Sequence, residues 1–182
     1  MKVLTPFDSN TSVFYALRGG GAGSWGVIVS VTLRTFPIFY ASLHSVQILA
    51  PTNESAGALM TLHAKHIFDW DTLRASQYST LQSNSTFVSL TLVTNFPNTT
   101  TTVANAAMKP FLDDARSSPL NFTVLAETVL EGFANDLVYN ADDSSGVQVL
   151  LGSRLVPAAA YRSNPDGIGA RYTELLNLGA PL

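Results

Sequence analysis

The chain has 182 residues, of which 46% are hydrophobic and only 13% charged, with a formal net charge of −3 and no cysteine. That length holds one domain or slightly more, and the charged fraction is about half the ~25% usual for soluble domains. Lysines and arginines are scattered with no basic stripe, which excludes nucleic acid as a partner, and no apolar run approaches the ~20 residues that cross a bilayer, which excludes a membrane-spanning helix. So few charges point to a surface made of Ser, Thr and Asn, or to one that another segment covers.

Met1 to Asp8 carries only Lys2 as a positive residue and no sustained apolar core, so it does not read as a signal peptide. Ser12 to Arg18 predicts a short helix with Ser12 as N-cap. A bare-backbone loop follows, Gly19-Gly20-Gly21-Ala22-Gly23-Ser24-Trp25-Gly26, in which N–H groups can approach a ligand unhindered. Val27, Val29, Val31 and Leu33 then alternate with Ile28, Ser30, Thr32 and Arg34, which predicts a strand over Val27 to Arg34. Gly21-x-Gly23-x-x-Gly26 has the dinucleotide-binding spacing, but that fingerprint must follow a strand and open a helix. The order here is reversed, which argues against a NAD-type turn.

Beyond Pro37, residues 39 to 49 alternate as a second strand, and Thr52 or Asn53 caps a helix with Ala56, Leu59, Met60, His63, Ile67 and Trp70 on one face. Gln77 to Leu81 and Thr86 to Phe96 predict an antiparallel hairpin around Gln82-Ser83-Asn84-Ser85. Thr99 to Arg116 fits a helix interrupted or re-begun at Pro110. Asn121 to Leu130 reads as β at its start, Gly146 to Pro157 as another strand, and Ile168 to Leu178 as a last helix stopped by Asn177 and Gly179. The expected class is α+β, an antiparallel sheet covered on one face by helices.

The string Phe14-Tyr15-Ala16-Leu17-Arg18, the glycine run, Ser24-Trp25-Gly26 and the aliphatics leading to Phe36-Pro37 resembles a signature of the berberine-bridge-enzyme-like FAD-linked oxidases, within the vanillyl-alcohol-oxidase type of flavoproteins. Departures from the commonest form at Ala22, Ser24 and Trp25 keep size or polarity. Gly152-Ser153-Arg154-Leu155-Val156-Pro157 is similar to an element in the substrate domain of fungal members. The resemblance implies that residues 1–37 end an FAD-binding domain and 38–182 form a partial substrate domain. It implies FAD as cofactor, contacted by Gly20, Gly21, Gly23, Ser24, Trp25, Gly26 and Val27, and an alcohol or carbohydrate substrate oxidised with oxygen as acceptor. The family's Gly-Gly-Gly-His loop, its flavin-linking His and its second tether Cys have no counterpart in these residues. The expectation is therefore a fragment, inactive alone, whose partner is the remainder of the FAD domain. The alternative is a non-catalytic secreted glycoprotein or binding module built on the substrate domain.

Single residues add little chemistry. Arg18 suits a phosphate or a structural pairing at a helix end, and the structural role is preferred. His63 and His66 lie near Asp69 and Asp71, but without His-Glu-x-x-His or a third ligand no metal is assigned. The pairs Asp113-Asp114 and Asp142-Asp143 point to different faces as sequence neighbours. Tyr78, Tyr139 and Tyr161 are the nominees for a substrate-side phenol, with nothing to choose among them, so no catalytic residue is assigned. Five N-glycosylation sequons, at Asn10, Asn53, Asn84, Asn98 and Asn121, exceed the roughly two expected from composition and point to a secreted complete protein.

Overall fold

The computed structural model describes residues 4–5, 7, 11–19, 22–84, 86–134, 136–137 and 154–179. The chain forms two compact units, Met1–Pro37 and Ile38–Leu182. In the first, helix α1 spans Thr11–Leu17 and a single 3-10 turn spans Ala22–Ser24. Ser12, expected as N-cap, lies inside α1 instead. Arg18 carries its guanidinium 5.7 Å from the ring centroid of Phe14, the i,i+4 spacing that lets a cation cover an aromatic face one turn back.

The strand expected over Val27 to Arg34 is absent: residues 26–39 have no regular structure. Val27, Val29, Val31 and Leu33 are 93%, 76%, 64% and 75% exposed. A strand exists only through its ladder partners, and the described sheet begins at Tyr40, so this β-forming sequence has nothing to pair with. No helix opens after Gly26 either, so the context required of a NAD-type turn is not met.

The second unit runs β1 (Tyr40–Ala50), α2 (Asn53–His66), β2 (Ser76–Ser83), β3 (Val88–Pro97), α3 (Thr101–Ser117) and β4 (Thr123–Phe133), then α4 (Ala158–Ser163) and α5 (Pro165–Asn177). The four strands form one antiparallel sheet in the order β2-β3-β1-β4. This is the split βαβ arrangement of ferredoxin-like βαββαβ units, with both crossover helices packed on one face.

Local chemistry sets the helix starts. Thr52 caps α2 by accepting from Ser55 N–H at 3.1 Å while Ser55 Oγ accepts from Thr52 N–H at 2.9 Å, a reciprocal box that satisfies two orphan donors. Thr100 caps α3. Pro110 does not interrupt α3 as expected; it lies on the exposed side, and so does Ala106, whose carbonyl loses its helical N–H partner at the proline. Asn164 ends α4 and starts α5, accepting from Gly167 N–H at 2.9 Å, and Pro165 takes the first helical position. The expected strand over Gly146 to Pro157 falls mostly outside the described residues; Arg154 to Pro157 are irregular.

Alternation decides which face is core. Val46, Ile48 and Ala50 of β1 and Leu90, Leu92 and Phe96 of β3 are buried against Ala56, Leu59 and Met60 of α2 and Ala104, Met108, Phe111 and Leu112 of α3. Burying each large side chain contributes about 1.5–3 kcal/mol. α5 packs on α2 rather than on the sheet.

Candidate functional site

The residues nominated as cofactor-binding lie together in the first unit. Gly20 and Gly21 fall outside the described residues, while Gly23, Ser24, Trp25, Gly26 and Val27 are contiguous and exposed. Gly19 and Gly26 have φ of +145° and +148°, conformations that L side chains avoid. The conformational demand for glycine therefore falls on Gly26 and not on Gly23. A Cβ built at Gly23 or Gly26 meets nothing within 4 Å. Trp25 offers a 58% exposed indole beside this open backbone. Accessible amides, unoccupied space on the glycines and an aromatic side chain fit an extended, ring-bearing anion such as a dinucleotide cofactor, along one wall of a site.

In the second unit the sheet face opposite the helices is free of helices among the described residues. Register sets out its rows: Tyr78, Val93, Ser45 and Thr128 stand side by side across all four strands, and Thr80, Thr91, Gln47 and Ala126 form the next row. Gln47 Nε2 donates to Ser89 Oγ at 2.8 Å, tying this row to its neighbour. Tyr78 is 80% exposed on β2. The face is thus mainly hydroxyl and amide, with Leu43, Leu49 and Leu130 at intervals. Hydroxyl-bearing molecules meet both donors and acceptors there.

The helix-side polar groups are committed to structure. His63 Nε2 bonds Gln77 Oε1, and Gln77 Nε2 donates to Thr94 Oγ1 at 2.7 Å. Burial lowers the His63 pKa against the weaker opposing effect of Gln77. His44, fully buried on β1, meets Glu127 Oε1 at 3.2 Å, and Arg116 holds the other oxygen of Glu127 at 2.8 Å. Its pKa is also lowered, by desolvation outweighing the Glu127 carboxylate. The Nδ1 atoms of both histidines are buried without a hydrogen-bond partner.

His66 joins Asp69 (Nδ1, 2.7 Å) to Asp114 (Nε2, 3.0 Å), so both ring nitrogens are occupied. His63 and His66 thus face different partners, and among the described residues no three His, Cys, Asp or Glu side chains are grouped to hold a metal. Asp113 pairs with Lys109. Of the three tyrosine nominees, Tyr78 lies on the open face and Tyr161 lines a cleft of about 310 Å³ with His63, Trp70, Asp71, Gln77 and Tyr172. Tyr139, Asp142 and Asp143 fall outside the described residues. Sequence reasoning missed Gln77 and the Tyr78 row, because both depend on strand register; the polar alternation of Ser76, Tyr78, Thr80 and Gln82 was the available signal.

The second unit and the glycine loop can be set beside known proteins. The crystal structure of the VAO-type flavoprotein MtVAO615 from Myceliophthora thermophila superposes with a TM-score of 0.60 over 94% of this chain and 31% of that protein, at 20% identity, which establishes a shared fold. The FAD-linked oxidoreductase easE of Arthroderma otae is 30% identical over 125 residues, 66% of this chain and 20% of its own length. The easE protein of Arthroderma benhamiae is 26% identical over 184 residues, 93% of this chain and 35% of its own. Along most of its length the chain is similar to FAD-linked oxidoreductases, and it shares the fold of a VAO-type flavoprotein. The FAD-linked oxidoreductase asqF of Emericella nidulans is 54% identical over 35 residues, 19% of this chain and 6% of its own length. No family model matches the chain. The chain spans about a third or less of the length of these proteins. Their names do not favour the alternative of a non-catalytic binding module.

Proposed function

We propose that this chain contributes walls of the cofactor and substrate sites of an FAD-dependent oxidoreductase that oxidises an alcohol or carbohydrate with oxygen as acceptor. The observation that carries the reading is the relationship to FAD-linked oxidoreductases along the chain, combined with a glycine loop whose backbone is open and whose Gly26 requires glycine. Residues 1–37 belong to the end of the FAD-binding domain and 38–182 to the substrate domain. The rest of the FAD domain is the partner that completes the site.

Gly20, Gly21, Gly23, Ser24, Trp25, Gly26 and Val27 hold FAD through backbone N–H and C=O groups and the indole face of Trp25. Bound there, FAD would supply the hydride acceptor for the substrate carbon and the route of two electrons and two protons to oxygen as hydrogen peroxide. The open sheet face supplies orientation: Tyr78, Ser45, Thr128 and Gln47 offer hydroxyl and amide groups in register, suited to a substrate rich in hydroxyls. A side chain in these rows fixes which carbon is presented. The five sequons support a secreted glycoprotein.

The test is peroxide release by the protein purified from its native source, against a panel of primary alcohols and mono- and oligosaccharides. Flavin-dependent peroxide formation with at least one of them is expected. A flavin-free protein overturns the cofactor assignment. A flavoprotein that oxidises a panel member without forming peroxide overturns the acceptor assignment alone.

A further inference from the structure

The sequons are not equivalent in the fold. Asn98 follows β3 at a φ of 51° and Asn121 precedes β4 at a φ of 56°. Both are exposed, in the left-handed turn conformation that Asn tolerates better than most residues. The Asn98 backbone is anchored, its N–H donating to the Tyr40 carbonyl at 2.6 Å while the next carbonyl, of Thr99, accepts from Ser42 Oγ at 2.6 Å. Among the described residues no hydrogen bond engages the side-chain amide of either asparagine. Each is an exposed asparagine at the end of a strand, and the backbone of Asn98 is held by β1.

Asn53 is the opposite case. It is half-buried in the first turn of α2, and its Nδ2 donates to Asn177 Oδ1 at 2.8 Å, in the last turn of α5. The hydroxyl of its sequon, on Ser55, is buried within the capping box, accepting from Thr52 N–H at 2.9 Å and donating to the Thr52 carbonyl at 2.9 Å, whereas Thr100 of the Asn98 sequon, also a helix cap, is exposed. A glycan on Asn53 needs solvent where α5 packs on α2. The sequons at Asn10 and Asn84 include residues outside the described set and are not assigned.

We infer that Asn98 and Asn121 bear N-linked glycans in the mature protein and that Asn53 does not. The inference rests on the secretory reading above. It is also consistent with the substrate face: neither asparagine stands in the rows of Tyr78 or Thr80, and the two lie at opposite ends of the sheet, next to Pro97, which pairs with Ala41, and near Thr123, which pairs with Leu49. Glycans at these positions leave the open face clear.

The experiment has two arms, both read by peptide mass spectrometry after enzymatic deglycosylation in heavy-oxygen water, which marks each former glycan site as a labelled aspartate. In the first arm the protein is purified from its native source; in the second it is exported from yeast behind a foreign leader. Label at Asn98 and Asn121 with none at Asn53 is expected in both, and Asn98→Gln and Asn121→Gln should each remove one glycan's mass. Exported protein unlabelled at either Asn98 or Asn121 overturns the assignment for that residue, and label at Asn53 overturns its exclusion. Label in the yeast arm alone, with the native protein retained in cells and unlabelled, overturns the secretory reading while the relative competence of the sites stands.

Discussion

The packing of α5 on α2 turns on two glycines, and a single methyl group tests it. A Cβ at Gly57 would collide with Thr173 Oγ1 and lie 2.8 Å from the Gly169 carbonyl oxygen; a Cβ at Gly169 would collide with Thr61 Oγ1 and the Gly57 carbonyl. The threonine hydroxyls can rotate, but the carbonyls are backbone, so the helices must separate. In an isolated helix Gly→Ala is stabilising by about 1 kcal/mol. Overpacking costs about 1–3 kcal/mol, and separation also uncovers buried Leu176 and half-buried Tyr172, at up to about 1.5–3 kcal/mol for a large side chain fully exposed. The balance for Gly57→Ala is a net loss of about 2 kcal/mol, read as a lower urea midpoint together with faster proteolysis within residues 158–179. Gly132→Ala, whose added Cβ finds only Leu137 side-chain carbons at 3.8 and 3.9 Å, is the control and should leave stability nearly unchanged. A Gly57→Ala variant more stable than the parent would refute the argument, because helix propensity alone would then decide the sign.

Three further outcomes follow from the same structure. Burial holds the pKa of both His44 and His63 below the ordinary value of 6.5, so folding favours their neutral forms; stability is fully present above pH ~6.5 and lost as pH falls through the folded values. Thermal melts between pH 7.5 and 5 should therefore decline toward acid, and His63→Leu should flatten that slope; an unchanged slope contradicts the assignment to His63. Isolated as 182 residues, the chain should purify without a flavin absorption band, because the glycine loop is one open wall; a band that survives gel filtration would contradict this. In the native-length enzyme, Tyr78→Phe should raise KM for the best alcohol or sugar several-fold with FAD content unchanged, and an unaltered KM would remove Tyr78 from the substrate face.

Much of the second unit was legible in the sequence because its signals are local. The Thr52 cap, the alternation along β1 and β3 and the turn before Phe87 each act within a few residues, and the structure places elements where they predict. The failures are non-local. Val27 to Arg34 has strand propensity, but propensity cannot supply a ladder partner. Pro110 signals a break in the sequence, which does not reveal that Ala106 and Pro110 fall on the exposed side of a continuous helix. The start of α5 at Pro165 went unread because Asn164 serves two helices at once. Of the candidate site, the glycine loop was readable as a run of residue types, whereas the demand for glycine at Gly26 required its φ. The row through Tyr78 required register across four strands, which no local pattern encodes.

Gly26 is the position at which the proposed flavin contact is most directly tested. Its φ of +148° makes any L side chain there strained by about 1–3 kcal/mol, and the open space around it is where the cofactor is proposed to lie. The decisive measurement is FAD content per folded protein, by flavin absorbance after gel filtration, for Gly26→Val in the native-length enzyme beside Asn105→Ala on the exposed side of α3. Loss of most of the FAD from Gly26→Val, with full occupancy in Asn105→Ala, is the predicted result. Equal occupancy in both folded variants would contradict the placement of the glycine loop against the flavin.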